Sequence, residues 1–300
     1  MTYGSGPTKR RTKAEMVTFR NAIYAIVADN KPCSVRQVYY IGIGQLWEKD
    51  QGGSRANYKR VVRELGVMRE AGDIPWSWIT DATRYCRIPD MYNSHEEALR
   101  FLAEEYRRNL WVAQPRRVEV WAESDSISGV INPVTDNLGV GLFSCRGQAG
   151  KTFAQNATET YRRINKPVTV LFVGDWDPTG LAIPRSLEER LNRYSEAVVE
   201  VDFRRLAVTP DDLFTMNLAT HDVNRGDPNY RRYAQECALV GLDPQVSVEV
   251  EALPPDVLRE RLEIALYDLV EDAEAWNAAI DSQESERLIL TAMANGGWAA

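Results

Sequence analysis

The sequence predicts an α/β protein in which a small helical domain precedes a larger domain with a mainly parallel sheet flanked by helices. After Pro115 strand-like and helix-like segments alternate, whereas the pattern before Pro115 is helical and one helix carries a row of basic side chains. The charge divides in the same way. Residues 1–117 hold 20 Lys and Arg against 13 Asp and Glu, and the remaining 183 residues hold 16 against 30. A basic front half indicates contact with a polyanion, although uneven surface charge without a function is the alternative.

Three helices are predicted in the first domain. Residues 1–13 are polar and basic and are expected to form a flexible arm. An apolar pattern predicts a helix over 14–29, and Ser34 with Gln37 has the spacing of a capping box that starts the next helix. A third helix is predicted over 54–71, followed by a short extended segment rich in Trp and Ile.

The third helix has two distinct faces. Its apolar face is predicted to comprise Val61, Val62, Leu65 and Met68. Arg55, Lys59 and Arg63 recur every four residues and form a separate basic stripe. Two helices, a basic helix and then a β wing are the arrangement of a winged helix-turn-helix, whose last helix enters the DNA major groove. We therefore expect residues 14–92 to bind double-stranded DNA, and an ordinary solvated helix face is the alternative.

The second domain follows a connecting segment. Ser94 with Glu97 opens a helix that is predicted to reach about residue 111, so that 93–116 connects the domains. Strands are predicted at 117–123, 139–145, 168–173 and 197–203. Helices are predicted between them at 126–138, 151–164 and 180–194. Residues 254–296 are predicted to be helical almost throughout, so the domain 117–300 ends in a helical extension.

Three carboxylates follow strands of this predicted sheet. Glu123 ends the first strand, and Asp175 and Asp177 follow the third, in "FVGDWDPTG". Ligands of a parallel sheet gather at the carboxyl ends of its strands, so adjacent first and third strands would bring the three acids together. Such acids repel one another unless a cation lies between them, and carboxylate oxygens favour Mg²⁺ or Mn²⁺. The pattern predicts a Mg²⁺ (or Mn²⁺) site, with solvated turn carboxylates as the alternative.

Other kinds of chemistry have little support in the composition. The four cysteines are far apart and form no C-x-x-C motif, and the chain has only two histidines. No apolar run approaches the roughly 18 residues of a membrane-spanning helix. We therefore expect a soluble, cytoplasmic protein, associated with the nucleoid if it is encoded by a bacterium or phage, whose chemistry comes from carboxylates, hydroxyls and basic groups.

The acidic residues also carry a resemblance. Glu at the end of one strand, followed by Asp-x-Asp-x-x-Gly after a later strand, resembles the Toprim domain of topoisomerases, primases and related nucleases. With "VEVWAESDSISGVINPV", "SCRGQAGKTF" and "VEVEALPPDVL" in this order, the chain resembles the topoisomerase VI A subunit and its meiotic double-strand-break relatives. The resemblance covers about residues 34–265. Ser124 stands where these proteins usually have Lys after the Glu.

The first domain contains a second part of the resemblance. "SVRQVYY", residues 34–40, is similar to the segment that carries the nucleophilic tyrosine of this family. The similarity implies that Tyr40 attacks DNA and leaves a 5′-phosphotyrosyl link, with Mg²⁺ held by Glu123 and the two aspartates. Arg36 precedes Tyr40 by four residues and could stabilise the developing phenolate. The resemblance also makes Glu123 a catalytic residue and Arg146 and Lys151 contacts to DNA beside the metal.

Partners and alternatives follow from the same resemblance. It implies a homodimer, in which the tyrosine of one protomer works with the metal of the other, and a separate ATPase B-type subunit as a possible partner. One alternative is a Toprim nuclease that uses metal-activated water. The other is a non-catalytic DNA-binding protein with a vestigial site. For Tyr40 itself, the alternative is a core aromatic residue.

Overall fold

The structure is a computed structural model that describes residues 12–50, 55–80, 89–145, 151–195 and 199–295. Nearly all of the predicted arm at 1–13 lies outside these residues. The chain forms two compact units, Met1–Thr80 and Asp81–Ala300.

The first unit contains the three predicted helices, which are α1 (Lys13–Asn30), α2 (Val35–Ile41) and α3 (Ala56–Glu70). Capping boxes start the first two. Thr12 accepts a hydrogen bond from the backbone of Glu15, and Ser34 accepts one from the backbone of Gln37. The Gln37 side chain accepts in return from the Ser34 N–H at 3.0 Å, so the capping box predicted at this position is confirmed.

The apolar face of α3 differs from the prediction at one position. Val61, Leu65 and Met68 are buried as expected, but 42% of Val62 is exposed. Successive side chains of an α-helix are about 100° apart around the helix axis, so Val62 points away from the buried face that Val61 occupies. The position on the buried face that was not predicted is Glu64, which is only 3% exposed.

The segment after α3 is only partly extended. Trp76–Trp78 form one turn of 3-10 helix, and Ile79 makes an isolated parallel bridge with Cys33. The N–H of Thr80 donates to Cys33 O at 2.9 Å, which ties this segment to the residues before α2. Residues 81–88, where a β wing would continue, lie outside the described residues.

The second unit is built on a parallel sheet with the order β2-β1-β3-β4. The strands are β1 (Arg117–Ala122), β2 (Gly141–Ser144), β3 (Val168–Val173) and β4 (Val201–Ala207). All three adjacent pairs are parallel, and β1 lies beside β3. The prediction of an α/β unit with a parallel sheet is confirmed.

Helices cover both faces of this sheet. The connections between strands are α5 (Asp125–Asn137), α6 (Lys151–Ile164) and α7 (Pro178–Tyr194). Alternate side chains of a strand point to opposite faces. Val120 belongs to the core cluster that includes α5, whereas Trp121 belongs to the cluster formed with α6 and α7. The sheet is therefore a central layer between two hydrophobic cores.

The fourth strand begins four residues later than predicted, at Val201 rather than at residue 197. It extends through Arg204 and Arg205, two charged residues that a hydrophobic pattern treats as the end of a strand. β4 is an edge strand of the sheet, and Arg204 is exposed and pairs with Asp202 at 2.6 Å. Arg205 instead binds backbone carbonyls within the unit.

The helix predicted to reach residue 111 is shorter. It is α4 (His95–Glu105), and its Ser94 cap is confirmed by a 3.2 Å bond from the Glu97 N–H. The chain then leaves the helical conformation, and Leu110 and Trp111 enter the core of the second unit. The indole of Trp111 donates to Leu138 O at 2.8 Å. Burial of these two side chains explains why the helix ends early.

The remaining elements follow β4. They are α8 (Pro210–Thr215), β5 (Thr220–Asp222), α9 (Tyr230–Val240), β6 (Val246–Val248), α10 (Pro255–Tyr267) and α11 (Ala273–Ala294). β5 and β6 form a two-stranded antiparallel sheet. The helical C-terminal segment is confirmed, with an interruption between α10 and α11. Among the described helices, none combines the length and the apolar character needed to cross a membrane.

Candidate active site

The carboxyl ends of β1 and β3 lie side by side. Ala122 is in register with Val173, and the ladder continues one step further through a 2.9 Å bond from the Glu123 N–H to Val173 O. Glu123 and the residues after Val173 therefore leave the sheet at the same edge. The expectation that the first and third strands are neighbours is confirmed, and Glu123 and Asp175 are brought together.

The carboxylate of Glu123 lies directly against the loop that follows β3. Its Oε2 accepts a hydrogen bond from the Asp175 N–H at 2.9 Å. A Cβ atom at Gly174 would lie only 2.6 Å from the same oxygen, which is closer than real Cβ atoms approach an oxygen. A side chain at 174 would therefore displace the Glu123 carboxylate from this position or the ring of Phe172 beside it.

The loop residues Asp175, Trp176 and Asp177 run as a short extended segment. Trp176 pairs with Val248 of β6, with the N–H of each donating to the carbonyl of the other at 2.8 and 3.0 Å. Trp176 is 5% exposed and packs in the core. Because side chains alternate along extended chain, the flanking aspartates point away from the side that Trp176 occupies. This alternation explains the Asp-x-Asp spacing with an apolar residue between.

Each aspartate also binds backbone. Asp175 Oδ1 accepts from the Val250 N–H at 2.8 Å, and Asp177 Oδ1 accepts from the Gly180 N–H at 2.5 Å as the N-cap of α7. An N-cap Asp is a common structural device, so Asp177 has a local role whatever else it does. In both residues the bond uses one carboxylate oxygen and leaves the second for a ligand.

A fourth acid, Glu251, belongs to this region and was missed in the sequence. It lies in the 3-10 turn Val250–Ala252 and is 1% exposed. Its negative charge raises the pKa of Glu123 and of Asp175. The available signal was an acid between apolar residues in "VEVEALPP", a stretch whose resemblance had been noted without assigning a role to this side chain.

The electrostatics of the site favour protonated acids. Burial is the main cause that raises the pKa of Glu123 to about 7, and the nearby Asp177 raises it further. Burial, followed by the charge of Glu123, raises the pKa of Asp175 well above its usual value. The guanidinium of Arg205 acts in the opposite direction on Glu123. The positive charge of Arg205 therefore does not balance the negative charges of the acids around it.

The thiol beside these acids is unreactive. Cys145 follows β2, and its N–H donates to Ala122 O at 2.8 Å, which places the thiol at the same edge of the sheet. Burial, together with the charge of Glu123, raises its pKa to about 12. At neutral pH the side chain is therefore a thiol rather than a nucleophilic thiolate.

The donor set is compatible with a hard divalent cation, but it is not a closed cage. Within the described residues, no group of three or more His, Cys, Asp or Glu side chains is arranged to enclose a metal ion. Mg²⁺ commonly binds through one or two carboxylates and completes its shell with water and substrate phosphate oxygens. Asp175 and Asp177 each keep a second carboxylate oxygen, as that mode of binding requires.

The predicted nucleophile lies in the first unit. Arg36 and Tyr40 both belong to α2, one helical turn apart as expected. Tyr40 is 7% exposed, and its ring meets that of Tyr39 edge to face at 5.4 Å between centroids. The Tyr39 hydroxyl accepts from the Asp50 N–H at 2.9 Å. Both tyrosines are therefore packed in this unit, and Tyr40 has little exposed surface.

The basic stripe is solvent-exposed. Arg55, Lys59 and Arg63 are all exposed, with Arg55 as the N-cap of α3 rather than within its first turn. The guanidinium of Arg63 binds the buried Glu64 through two hydrogen bonds of 2.8 and 3.0 Å. Arg20 binds the other oxygen of Glu64 at 2.9 Å. Part of the Arg63 charge is thus balanced within the unit, whereas Arg55 and Lys59 are exposed cations.

The two predicted DNA contacts beside the acidic site have different outcomes. Lys151 is exposed at the first position of α6. Arg146 lies outside the described residues. Ser124, which stands where the resembled proteins usually have Lys, is the N-cap of α5 and accepts from the Ile127 N–H at 3.3 Å.

Comparison with known proteins gives no further assignment. No family model matches the chain, and no curated protein is similar to it in sequence.

Proposed function

We propose that this protein is a Mg²⁺-dependent DNA-binding and DNA-cleaving protein of the topoisomerase VI A type. The proposal is carried by one observation, the meeting of Glu123 and Asp175 at the carboxyl edge of two adjacent parallel strands, with Asp177 two residues further on. These two partly buried acids have raised pKa values, which is a frequent property of functional sites. The parallel sheet between two helical layers is consistent with a Toprim-like core.

In this proposal Tyr40 is the nucleophile. Its hydroxyl oxygen would attack a backbone phosphorus and lose its proton, and the 3′ oxygen would leave and take up a proton as a 3′ hydroxyl, so that a 5′-phosphotyrosyl bond replaces the bond from phosphorus to the 3′ oxygen. A phenol is largely protonated at neutral pH, and Arg36 one turn earlier would stabilise the developing negative charge. Glu123, Asp175 and Asp177 would hold the metal, which supplies positive charge at the phosphate and the leaving oxygen.

The first unit would supply DNA binding. Arg55, Lys59 and Arg63 are exposed on or next to α3, the helix that would enter the major groove in a winged helix-turn-helix. Lys151, and Arg146 in the sequence beside it, would contact DNA near the acids. We further propose a homodimer, because two tyrosines related by a two-fold axis address opposite strands, and a separate ATPase B-type subunit as a possible partner.

A second candidate, a Toprim nuclease that uses water, is favoured by the burial of Tyr40. With 7% of its surface exposed, this side chain would have to move before its oxygen could reach a phosphate. A metal-bound water needs no such movement. In that case the acids would carry the activity and Tyr40 would be a core residue.

The experiment that separates these candidates is incubation with supercoiled DNA and Mg²⁺, followed by denaturation and separation of protein-bound from free DNA. Cleaved DNA covalently attached to protein is expected for the wild type and is expected to be lost in Tyr40→Phe. Tyr39→Phe is the matched control, because it removes the neighbouring hydroxyl in the same helix. Cleaved ends without attached protein, unchanged in Tyr40→Phe, would indicate the nuclease, and binding without cleavage would contradict both.

A further inference from the structure

One side chain that belongs to none of the predicted motifs organises the loop between β3 and α7. The guanidinium of Arg205, in β4, lies within hydrogen-bond distance of five backbone carbonyls, some of which share a hydrogen of Nη1. Its Nη1 lies 3.0 to 3.4 Å from four of their oxygens, and its Nη2 lies 2.6 Å from the fifth. The acceptors are the carbonyl oxygens of Gly174, Asp175, Ala207, Val208 and Gly180. These bonds join the end of β3, the first turn of α7 and the end of β4.

The choice of acceptors distinguishes Arg205 from an ordinary ion-pair partner. Its hydrogen bonds go to backbone carbonyl oxygens, although four carboxylates are near enough to influence its charge. The carbonyl of Asp175 is bound by Arg205 while the carboxylate of the same residue accepts from the Val250 N–H. Asp175 is therefore held at its backbone and at its side chain, which leaves little freedom in the direction of the carboxylate.

Gly180 gives independent support for this arrangement. A Cβ atom at Gly180 would lie 2.3 Å from the Asp175 carbonyl oxygen, too close for the backbone to keep its present path. The absence of a side chain at 180 thus leaves room for the carbonyl that Arg205 binds. The same residue provides the N–H that Asp177 Oδ1 accepts.

Arg205 remains charged in this environment. Burial lowers its pKa to about 10, and the carboxylates of Glu123, Asp175 and Asp177 oppose that shift. A pKa near this value leaves the group cationic at neutral pH. A lysine would keep the charge but not the planar fork, so it could not bridge the same set of carbonyls.

We infer that Arg205 is a positioning residue of the acidic site. By holding the carbonyls of Asp175 and Gly180, it sets the backbone path that directs the two aspartate carboxylates beside Glu123. The inference rests on the proposed function in one respect, namely that the ligand of these acids is a divalent cation.

Arg205→Lys tests this inference against the matched control Arg204→Lys. Arg204 is the preceding residue of β4, but it is exposed and pairs with Asp202. The first measurement is calorimetric titration of DNA-free protein with Mn²⁺. The second is hydrogen–deuterium exchange of the segment 174–180. We expect Arg205→Lys to weaken Mn²⁺ binding by about tenfold or more, as for other groups that orient metal ligands. We also expect faster exchange in 174–180, with the control unchanged in both.

Gly180→Ala is the second variant, which disturbs the same carbonyl while keeping the Arg205 charge. It is expected to change Mn²⁺ affinity and exchange in the same directions, and it decides the question if Arg205→Lys does not fold. The inference is overturned if the folded variants bind Mn²⁺ as tightly as the wild type. It is also overturned if faster exchange is spread evenly over the second unit rather than concentrated in 174–180.

Failure of the proposed function would give a different result. A wild-type protein that binds Mn²⁺ but does not cleave DNA would contradict that function and leave the role of Arg205 standing. If the wild type bound no Mn²⁺, the proposed metal site would be wrong. Hydrogen–deuterium exchange of 174–180 would then be the only test of the role of Arg205. Unchanged exchange in both variants would overturn the inference.

Discussion

Glu119 lies within β1, and Glu123 follows the carboxyl end of this strand. The two side chains are four residues apart on the same face, but their surroundings are opposite. Glu119 is 1% exposed and accepts three hydrogen bonds, from Tyr161 Oη at 2.6 Å, Trp121 Nε1 at 3.0 Å and Arg117 Nε at 2.6 Å. Its charge is thus matched by donors within the core.

Glu123, at the other end, receives a backbone N–H and lies among acids. Asp177 and Glu251 both raise its pKa, and Asp175 donates its N–H to it. A buried carboxylate with a full set of donors stabilises a particular packing, whereas carboxylates that raise one another's pKa make the fold less stable at neutral pH. Residues that weaken the fold in this way are typical of functional sites. The difference is what the proposed function requires, with structural residues at the amino end of β1 and metal-binding residues at its carboxyl end.

The largest effect we expect is on DNA cleavage. Glu123→Gln keeps an oxygen for the Asp175 N–H but removes a negative charge from the acidic site, and we expect cleavage to fall by about 100-fold or more, or at least about 2.7 kcal/mol in the barrier. Tyr161→Phe, which removes a donor to Glu119, should leave cleavage per folded molecule nearly unchanged. The measurement is the initial rate of supercoiled DNA cleavage. Equal losses in the two variants would remove the functional distinction between the two ends.

The next effect is on stability at the amino end. Tyr161→Phe removes one donor from the buried carboxylate of Glu119 without creating a large cavity, so we expect a loss of about 1–3 kcal/mol in the free energy of unfolding. Tyr267→Phe is the control, because 49% of Tyr267 is exposed. Urea denaturation monitored by circular dichroism measures both. A loss no larger than that of the control would mean that the Glu119 network contributes little.

The sequence predicted one end of the strand better than the other. The carboxyl end was predictable because strand alternation and acids after strands are local patterns, and the adjacency of β1 and β3 brought Glu123 and Asp175 together as expected. Glu119 was read simply as part of a strand, because its partner Tyr161 is 42 residues away in α6. Such pairing depends on how the helix packs on the sheet, which no local spacing reveals.

Glu251 and Arg205 were missed for a related reason. Glu251 is separated from Asp175 by 76 residues, and the two segments are brought together by the pairing of Trp176 with Val248 and by the Asp175 bond to the Val250 N–H. Arg205 lies in β4, whose charged residues moved the predicted end of the strand to residue 203, four residues before its end at Ala207. In contrast, the start of α2 was predicted correctly, since the Ser34 capping box involves residues only three apart.

A pH dependence of stability is expected at the carboxyl end. The pKa of Glu123 is raised to about 7 in the folded protein, so between about pH 5 and pH 7 the folded state holds a proton that the unfolded state has released. Stability therefore decreases as the pH rises through this range, by about 1–2 kcal/mol for this group in metal-free protein. Urea denaturation in EDTA from pH 5 to pH 8 measures the change.

Glu123→Gln provides the comparison for that experiment, because a glutamine cannot titrate. We expect the variant to show a smaller decrease between pH 5 and pH 8 than the wild type. Tyr161→Phe should keep the wild-type slope, since Tyr161 contacts Glu119 rather than Glu123. Parallel curves for the wild type and Glu123→Gln would show that Glu123 is not responsible for the pH dependence.

The smallest effect we expect is a gain in stability, from a substitution among the acids at the carboxyl end of β1. Asp175→Asn keeps Oδ1 as the acceptor for the Val250 N–H, removes one of the mutually repelling charges and places an amide donor near Glu123 and Glu251. We expect the metal-free variant at pH 8 to gain about 1 kcal/mol in the free energy of unfolding. Asp222→Asn, at an exposed position of β5, is the control and should change little.

Addition of Mn²⁺ should make the wild type more stable than Asp175→Asn, since a cation stabilises the wild-type acids more than those of the variant. If Asp175→Asn were destabilising in EDTA, the acids at this edge would contribute to stability as Glu119 does, and the two ends of β1 would no longer differ in kind.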